Sequence, residues 1–260
     1  MATWCRLETK TGPSYGQVRE DQVEVVEGSP FGEWRMNGSR VPLSQAKLLV
    51  PVIPPVFYAI GSNYKNHVLK MAEAAGRKPV FYDRPRVGYR ANSALIANGE
   101  DIVKPSDSSE EFQYEAELVA VIGRKVRKVN KDEAISSIFG WTIGNDISER
   151  VWQVTDQTNI RAKNCDTFKP MGPWIVQDPD FSAMRTCVRL NGEVVHDFPT
   201  GDMLFDAADV IVEIARYNTL NPGDVVWLGT DEKPRNVKPG DDIAIDITGI
   251  GTLKNKVVAE

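Results

Sequence analysis

Three carboxylates lie at the ends of two predicted strands. Glu115 and Glu117 open the apolar segment EAELVAVIG (115–123), and Asp146 closes the segment FGWTIGND (139–146). Because successive side chains of a strand alternate between its two faces, both glutamates point the same way, roughly 7 Å apart. Carboxylate oxygens are the ligands that Mg²⁺ and Mn²⁺ take in proteins, and Ca²⁺ can take them as well. The spacing therefore indicates a candidate divalent-metal site.

An alternative interpretation is that Glu115 and Glu117 are solvated at an exposed strand mouth. Spacing alone favours this alternative. However, Val119 and Val121 continue the same face, and apolar residues fill the opposite face, which is typical of a strand buried on both sides. Two like charges that lead into such a strand require a compensating cation. With Asp146 as a third carboxylate at a strand end, the metal-site interpretation becomes the better one.

Lys163 and His67 are candidates for charge stabilisation and proton transfer. Lys163 lies in RAKNCDTFKPMGP (161–173), a predicted loop. A lysine beside an anionic site can stabilise an enolate oxygen or donate a proton, but it can equally be one of the solvated lysines of the chain. His67 opens a predicted helix, Tyr64–Ala75, directly after a predicted buried strand. Its ordinary pKa of about 6.5 suits proton transfer, and a structural role stays equally open.

Residue counts exclude several other kinds of site. The chain has two histidines and three cysteines, so neither a three-histidine nor a four-cysteine zinc site can form. It lacks the glycine-rich phosphate loop, the dinucleotide-binding Gly-x-Gly-x-x-Gly motif and the Gly-x-Ser-x-Gly elbow of serine hydrolases. The cysteines (Cys5, Cys165 and Cys187) are odd in number and far apart, which is typical of reduced thiols.

Charge and hydropathy predict a cytoplasmic protein with a small-molecule partner. The 31 basic and 36 acidic residues give a net charge of −5, and no basic run stands out, which argues against nucleic acid as a partner. No apolar stretch reaches the roughly 18 residues that span a bilayer. Residues 1–10 also lack the apolar core of a signal peptide. We therefore expect no membrane partner.

The elements that position the candidate residues are mainly strands, and the predicted fold class is α+β, predominantly β. Short strand-like segments punctuated by Gly-Pro and Asn-Gly pairs fill the first fifty residues, and prolines follow at positions 51, 54 and 55. We therefore predict a small β-rich N-terminal domain, 1–53, and a catalytic domain, 54–260. Residues 41–50 are predicted as a small helix or an extended link, and residues 78–101 as turn-rich.

Three local signals in the second predicted domain are strong. Asn191-Gly192 between two strand-like segments predicts a hairpin. Asn130 is a good N-cap for a predicted short helix, Lys131–Ile138. The segment Ala207–Tyr217 has the clearest amphipathic periodicity in the chain and predicts a surface helix.

Taken together, the motifs resemble the fumarylacetoacetate hydrolase family, which includes acylpyruvate hydrolases, oxaloacetate decarboxylases and hydroxymuconate isomerases. The resemblance implies a mixed β-roll with peripheral helices, a small N-terminal domain and a homodimer. It covers about residues 50–258 in family order. It rests on GSNYKNH (61–67), EAELVAVIG (115–123), GWTIGNDIS (140–148), KNCDTFKPMGP (163–173), NGEVVHDFPTGDMLF (191–205), NPGDVVWLGT (221–230) and GDDIAIDITGIGTLKNKVV (240–258).

The resemblance also implies roles for individual residues. The three carboxylates already singled out match the Mg²⁺ or Mn²⁺ ligands of the family. His67 matches a histidine on a lid that closes over the substrate, and Lys163 matches a lysine close to substrate and metal. The remaining matches are candidate substrate-binding residues: Tyr64, Arg150, Gln153 and Thr230.

Three departures from the family pattern bear on the reaction. Family hydrolases commonly carry a glutamate three residues after the histidine, where the pair activates water, but this chain has Lys70. A lysine normally stays protonated and cannot accept the proton of water. Asp231 replaces the usual proline after Gly-Thr, and the segment DRPRVGYRANSALI (83–96) is longer and more basic than the common version.

The resemblance implies three hypotheses for function. The lead hypothesis is a metal-dependent hydrolase that cleaves a C–C bond in a 2,4-dioxo acid, such as an acylpyruvate or fumarylacetoacetate, in the catabolism of aromatic compounds. The second is an oxaloacetate-type decarboxylase, or a keto–enol or double-bond isomerase, with the same metal site. Both would form an enolate whose charge a divalent cation stabilises. The third is a non-catalytic relative that binds an oxo acid.

Overall fold

Strands dominate residues 2–231 and 233–260, the part of the chain that the computed structural model describes. They make up 43% of it against 16% helix, which confirms the predominantly β, α+β fold class. The helices are α1 (Lys65–Ala74), α2 (Lys131–Ile135), α3 (Arg150–Gln153), α4 (Ile160–Asn164) and α5 (Ala207–Tyr217). None of these helices in the described residues is long and apolar enough to cross a membrane.

The strands follow one another along nearly the whole described chain. The first nine are β1 (Thr3–Thr9), β2 (Gly12–Arg19), β3 (Gln22–Gly28), β4 (Trp34–Pro42), β5 (Leu48–Leu49), β6 (Phe57–Gly61), β7 (Arg86–Tyr89), β8 (Leu95–Ile96) and β9 (Ile102–Lys104). The others are β10 (Phe112–Gln113), β11 (Ala116–Ile122), β12 (Ile138–Asn145), β13 (Ser148–Glu149), β14 (Lys169–Val176), β15 (Arg185–Leu190), β16 (Glu193–Pro199), β17 (Val225–Trp227), β18 (Asp242–Ile247) and β19 (Gly251–Ala259).

One large sheet carries the candidate site. Its strand order is β4-β3-β2-β1-β14-β12-β11-β17-β6-β7, with β5 paired to β1 and β8 paired to β14. The N-terminal strands continue this sheet, because β1 pairs antiparallel with β14 at Thr3 and Val176. A second sheet has the order β16-β15-β18-β19-β9. The strands β11 and β12 therefore lie in the middle of the large sheet, where neighbours on both sides satisfy their backbone groups.

The predicted alternation along β11 is confirmed. Leu118 belongs to one buried apolar cluster and Val119 to another, so the two faces of the strand pack against different cores. Glu115 and Glu117 are only 5% and 2% exposed. The alternative interpretation, in which these glutamates are solvated at an exposed strand mouth, is therefore wrong.

Local turn and capping signals also behave as predicted. Asn191 and Gly192 have φ of 52° and 85° and join β15 to β16 in a hairpin. Asn130 forms a capping box with Glu133 at the start of α2. The helix ends at Ile135 rather than at the predicted Ile138. Ile138 instead begins β12, which pairs with β11. The bounds of α5 are those predicted.

Two predicted segments differ from the structure, and in the first of them long-range strand pairing overrides weak local signals. The turn-rich region 78–101 contains β7, which pairs with β6, and β8, which pairs with β14. The small helix or extended link predicted for residues 41–50 is confirmed, since a 3-10 helix (Leu43–Gln45) leads into the extended β5, which pairs with β1. Lys163 was predicted in a loop, but it lies in the short helix α4. This last correction matters, since a helix fixes the direction of the side chain.

Candidate active site

The three candidate carboxylates converge because β11 and β12 are antiparallel neighbours. Glu117 pairs with Gly144 across the two strands, which sets the start of β11 beside the end of β12. The amide of Asp146 then donates a hydrogen bond to the backbone oxygen of Glu115, over 2.9 Å. One carboxylate oxygen each from Glu115, Glu117 and Asp146 lies within 4.8 Å of the other two. The sheet register therefore brings together three carboxylates that lie up to 31 positions apart in the sequence.

Lys163 bridges two of these carboxylates. Its Nζ donates to Oε2 of Glu115 over 2.5 Å and to Oδ2 of Asp146 over 2.8 Å. The helix α4 directs the side chain inward, and the amide of Lys163 bonds the backbone oxygen of Asn159. Lys163 is buried, so its charge is strongly felt by both partners.

Arg150 and Gln153 lie on the short helix α3 at the other side of Glu115. Arg150 donates from Nη2 to Oε1 of Glu115 over 2.5 Å and from Nε to Oε1 of Gln113 over 2.8 Å. Its Nη1 reaches Oε1 of Gln153 over 3.1 Å. Arg150 is buried and Gln153 half-buried. Both candidate binding residues are thus linked to the carboxylate cluster through a single guanidinium group.

Arg90 and Lys169 complete the cluster, and the sequence analysis did not single out either of them. Arg90, just after β7, donates from Nη2 to Oδ2 of Asp146 over 2.7 Å and from Nε to Oδ1 over 3.1 Å. Lys169 places Nζ 2.6 Å from Oδ1 of Asp146 and also bonds the backbone oxygens of Ile147 and Phe168. The basic segment 83–96 was a signal for Arg90. For Lys169 the signal was a lone lysine in the otherwise apolar run FKPMGPWIV (168–176).

These contacts lower the pKa of two of the carboxylates, whereas the pKa of the third is raised. Burial opposes the ionisation of Glu115, but the charges of Arg150 and Lys163 outweigh it and lower its pKa to about 2. Burial also opposes ionisation of Asp146, yet Arg90 and the two lysines hold its pKa well below its usual range. Two of the three carboxylates are therefore ionised at neutral pH.

Glu117 differs from its two neighbours because no cation of the described residues, 2–231 and 233–260, forms an ion pair with it. Burial, followed by the negative charges of Asp146 and Glu115, raises the pKa of Glu117 to about 8. Its Oε2 accepts a hydrogen bond from the amide of Gly229 over 2.8 Å. Gly229 has φ of 87°, a conformation that favours glycine, and this brings its amide to the carboxylate.

The donor set fits a hard divalent cation. Three carboxylates within 4.8 Å offer only oxygen ligands, which is the preference of Mg²⁺, Mn²⁺ and Ca²⁺. Within residues 2–231 and 233–260 the paired cations contact Glu115 and Asp146, so Glu117 is the least compensated of the three carboxylates. A cation beside Glu117 would favour the ionised form of this carboxylate. It would therefore bind most tightly where the protein supplies least positive charge.

His67 lies on α1 above the carboxylates. Its Nε2 is 3.9 Å from Oε1 of Glu115, and the side chain is 12% exposed. The neighbouring residue Asn66 donates from Nδ2 to Oδ2 of Asp231 over 3.3 Å. Lys70 is exposed on the same helix. The first turns of α1 therefore lie against both the carboxylate cluster and the segment after β17.

Tyr64 and Thr230 border the cluster without contacting the carboxylates directly. The Tyr64 hydroxyl donates to the backbone oxygen of Thr200 over 2.6 Å, so the phenol is directed into the protein. Thr230 directly follows Gly229, the donor to Glu117. The side chain of Asn63 donates hydrogen bonds to the backbone oxygens of Leu228 and Phe205 and so fixes the loop after β6 to the segment after β17.

Two family models match nearly the whole chain. The family model described as fumarylacetoacetate (FAA) hydrolase C-terminal matches residues 56–258, and the model described as Rv2993c-like, N-terminal, matches residues 3–51. Protein Rv2993c of Mycobacterium tuberculosis is 36% identical over 248 residues, which cover 94% of this chain and 90% of that protein.

Two further relatives have names that state a reaction. Oxaloacetate tautomerase YisK of Bacillus subtilis is 29% identical, with 96% of this chain and 88% of that protein covered. The crystal structure of 5-carboxymethyl-2-hydroxymuconate delta-isomerase from Mycobacterium smegmatis has a TM-score of 0.89 to this chain, at 33% identity and with 100% of both chains covered.

Proposed function

The chain belongs to the fumarylacetoacetate hydrolase family, and we propose that it is a divalent-metal-dependent enzyme that converts a 2-oxo acid through an enolate. The observation that carries this proposal is the convergence of Glu115, Glu117 and Asp146, with the ammonium group of Lys163 bonded to Glu115 and Asp146. Three carboxylates and a lysine in a buried cluster suit the stabilisation of a developing oxyanion better than any structural purpose.

The carboxylates would hold Mg²⁺ or Mn²⁺, and Ca²⁺ can use the same ligands. When bound, the cation supplies a Lewis acid that stabilises negative charge on the keto oxygen of the substrate. Lys163 adds a second positive charge at the same oxygen. Arg150, Gln153 and Thr230 bind the substrate carboxylate, with Arg150 also keeping Glu115 in place. Tyr64 stabilises this binding site through the hydrogen bond that its hydroxyl donates to the backbone oxygen of Thr200.

Proton transfer is the role that we assign to His67. A base that removes a proton from C3 of a 2-oxo acid leaves its electron pair in a new C2–C3 double bond, and the keto oxygen becomes the enolate oxygen. Return of the proton to a different carbon, or to the oxygen, gives an isomer or a tautomer. His67 suits this step because its imidazole Nε2 lies 3.9 Å from Oε1 of Glu115, and an imidazole can both accept and donate a proton.

Isomerisation or tautomerisation is therefore the reaction that we favour. Support comes from the two relatives named as a tautomerase and an isomerase and from Lys70, which cannot act as a base toward water while it is protonated. Hydrolysis of a C–C bond in a 2,4-dioxo acid is the second candidate, since the matching family model carries the name of a hydrolase. Decarboxylation of oxaloacetate would use the same enolate.

Product identification tests the proposal. The protein is incubated with oxaloacetate, an acylpyruvate and fumarylacetoacetate, each with Mg²⁺, with Mn²⁺ and with EDTA. We expect metal-dependent conversion between the keto and enol forms of oxaloacetate, and its loss in EDTA. Metal-dependent cleavage of the acylpyruvate to pyruvate and a carboxylic acid would favour the hydrolase instead. No turnover of any compound with either metal would contradict the proposal and favour a non-catalytic binding protein.

A further inference from the structure

Asp231 carries a buried carboxylate oxygen with no hydrogen-bond partner in the described part of the chain. The residue is 4% exposed, and its Oδ1 contacts no donor among residues 2–231 and 233–260. The other oxygen, Oδ2, accepts one long hydrogen bond from Asn66. An unsatisfied buried acceptor destabilises a protein, more so when it belongs to a charged group. Such an atom calls for a donor that residues 2–231 and 233–260 do not supply.

The position of Asp231 links this oxygen to the candidate active site. Gly229, two residues earlier, donates its amide to Glu117, so the backbones of Asp231 and Gly229 are at most about 7 Å apart. Burial, followed by the charges of Glu117 and Asp231, raises the pKa of the neighbouring Tyr64 well above its usual value. Asn66, which covers Asp231, stands next to His67 on α1 and is itself exposed.

The charges around the site restrict what the missing donor can be. Arg90, Arg150, Lys163 and Lys169 all pair with Glu115 or Asp146. These four cations repel a reactant that carries an ammonium group and attract an acidic one. Among the groups of an oxo acid, a neutral hydroxyl is the one that can donate a hydrogen bond to a carboxylate without bringing a further charge.

We propose that Asp231 is a substrate-binding residue whose Oδ1 accepts a hydrogen bond from a hydroxyl group of the reactant, so that this chain acts on a hydroxylated 2-oxo acid. This inference rests on the function proposed above and adds the substrate class. Sites built to bond a hydroxyl discriminate strongly against the analogue without it, because the buried acceptor is then left unpaired.

Asp231→Asn is the informative substitution because it replaces one hydrogen-bond acceptor with a donor. The donor Asn66 requires an oxygen opposite it, so the new side chain keeps its Oδ1 toward Asn66 and turns its amide nitrogen to the position of the unpaired oxygen. The side chain keeps its size and its bond to α1, while the acceptor for the reactant becomes a donor. Asp231→Ala, which removes the acceptor altogether, provides a second variant with the same expected loss.

Binding of matched ligands tests the inference. Dissociation constants are measured by calorimetry, with Mn²⁺ present, for pyruvate against 3-hydroxypyruvate and for 2-oxobutyrate against 4-hydroxy-2-oxobutyrate. In the unmodified protein we expect the hydroxylated member of at least one pair to bind about tenfold more tightly, or better. In both Asp231 variants we expect this preference to fall to about twofold or less.

Asp224→Asn is the matched control. Asp224 is also fully buried, but its two oxygens accept hydrogen bonds from the amides of Val56 and Asn221. This control should lower the melting temperature and keep the hydroxyl preference, whereas Asp231→Asn should not lower the melting temperature, because Oδ1 loses no bond.

The possible results separate the two proposals. Equal affinity for both members of each pair in the unmodified protein, or a preference that survives in both Asp231 variants, overturns the role of Asp231 and leaves the enolate chemistry standing. A water bound at Oδ1 in place of a hydroxyl would give this result, since replacing Asp231 would then affect both members of each ligand pair equally. An unmodified protein that binds none of the four oxo acids overturns both proposals.

Discussion

Lys169 places its Nζ 2.6 Å from Oδ1 of Asp146, and the two side chains are 0% and 1% exposed. Burial and the nearby charges of Arg90 and Lys163 outweigh the attraction of Asp146 and lower the pKa of Lys169 to about 7. The same carboxylate also bonds Arg90 and Lys163. Any cation that binds Asp146 therefore shares this ligand with three positive side chains.

Replacing Lys169 by methionine should tighten metal binding. The change removes a positive charge next to a ligand oxygen, while Arg90 still holds Asp146 through two hydrogen bonds. We expect the dissociation constant for Mn²⁺, measured by calorimetry, to fall by about tenfold, which corresponds to about 1.4 kcal/mol. Lys104→Met removes a lysine that bonds Ser108 and Ser109 instead, and should leave this constant unchanged. Weaker Mn²⁺ binding in Lys169→Met would show that Lys169 is needed to position Asp146.

Glu117→Gln should abolish metal-dependent activity and leave the fold intact. The amide keeps the size of the side chain and removes one of three ligand charges, so turnover should fall at least about 100-fold, or about 2.7 kcal/mol. Glu149→Gln is the control, because Glu149 is equally buried but caps α3 at the amide of Trp152. Activity with and without EDTA checks the prediction. Full activity of the unmodified protein in EDTA would remove the metal hypothesis.

Stability of the metal-free protein should depend on pH through Glu117. Its pKa is about 8 in the folded state and ordinarily about 4.5, so between these values the folded state holds a proton that the unfolded state has lost. The free energy of unfolding therefore falls as the pH rises through this window, by roughly 3 to 5 kcal/mol. Glu117→Gln should lack this decrease. Denaturation in EDTA at pH 5 and pH 8 measures this decrease. An equal decrease in the unmodified protein and in Glu117→Gln would show that Glu117 does not cause it.

Lys70→Glu should raise hydrolysis relative to decarboxylation. The new carboxylate, one turn after His67 on α1, can accept a proton from water, which a protonated lysine cannot. If water activation limits hydrolysis, the product ratio should change by about tenfold or more. Lys65→Glu makes the same charge change on the first turn of α1, on a side that does not face His67, and should leave the ratio unaltered. An unchanged ratio in Lys70→Glu would show that this departure from the family pattern is irrelevant.

Several elements of the fold were readable from local sequence. The alternation in EAELVAVIG identified β11 and its two buried faces, since a strand has a period of two residues whatever its neighbours are. Asn130 and Asn191-Gly192 act through bonds and dihedral angles within a few residues, so their cap and turn follow directly. In contrast, β7 has no clear alternation and exists because β6 offers it backbone partners.

The sequence alone determined which residues could supply ligands: two glutamates on one face of a strand, an aspartate at the end of another, and a family resemblance that named His67 and Lys163. Only the tertiary structure decided which cations compensate them. Arg90 lies 56 residues from Asp146, and Lys169 looks like any lysine until its burial is known. The physical reason is that burial and charge pairing depend on long-range sheet register, whereas strand alternation and turn chemistry depend on adjacent residues. The unpaired oxygen of Asp231 is a property of the folded chain in the same sense, because its missing partner can be recognised only when every neighbour is in place.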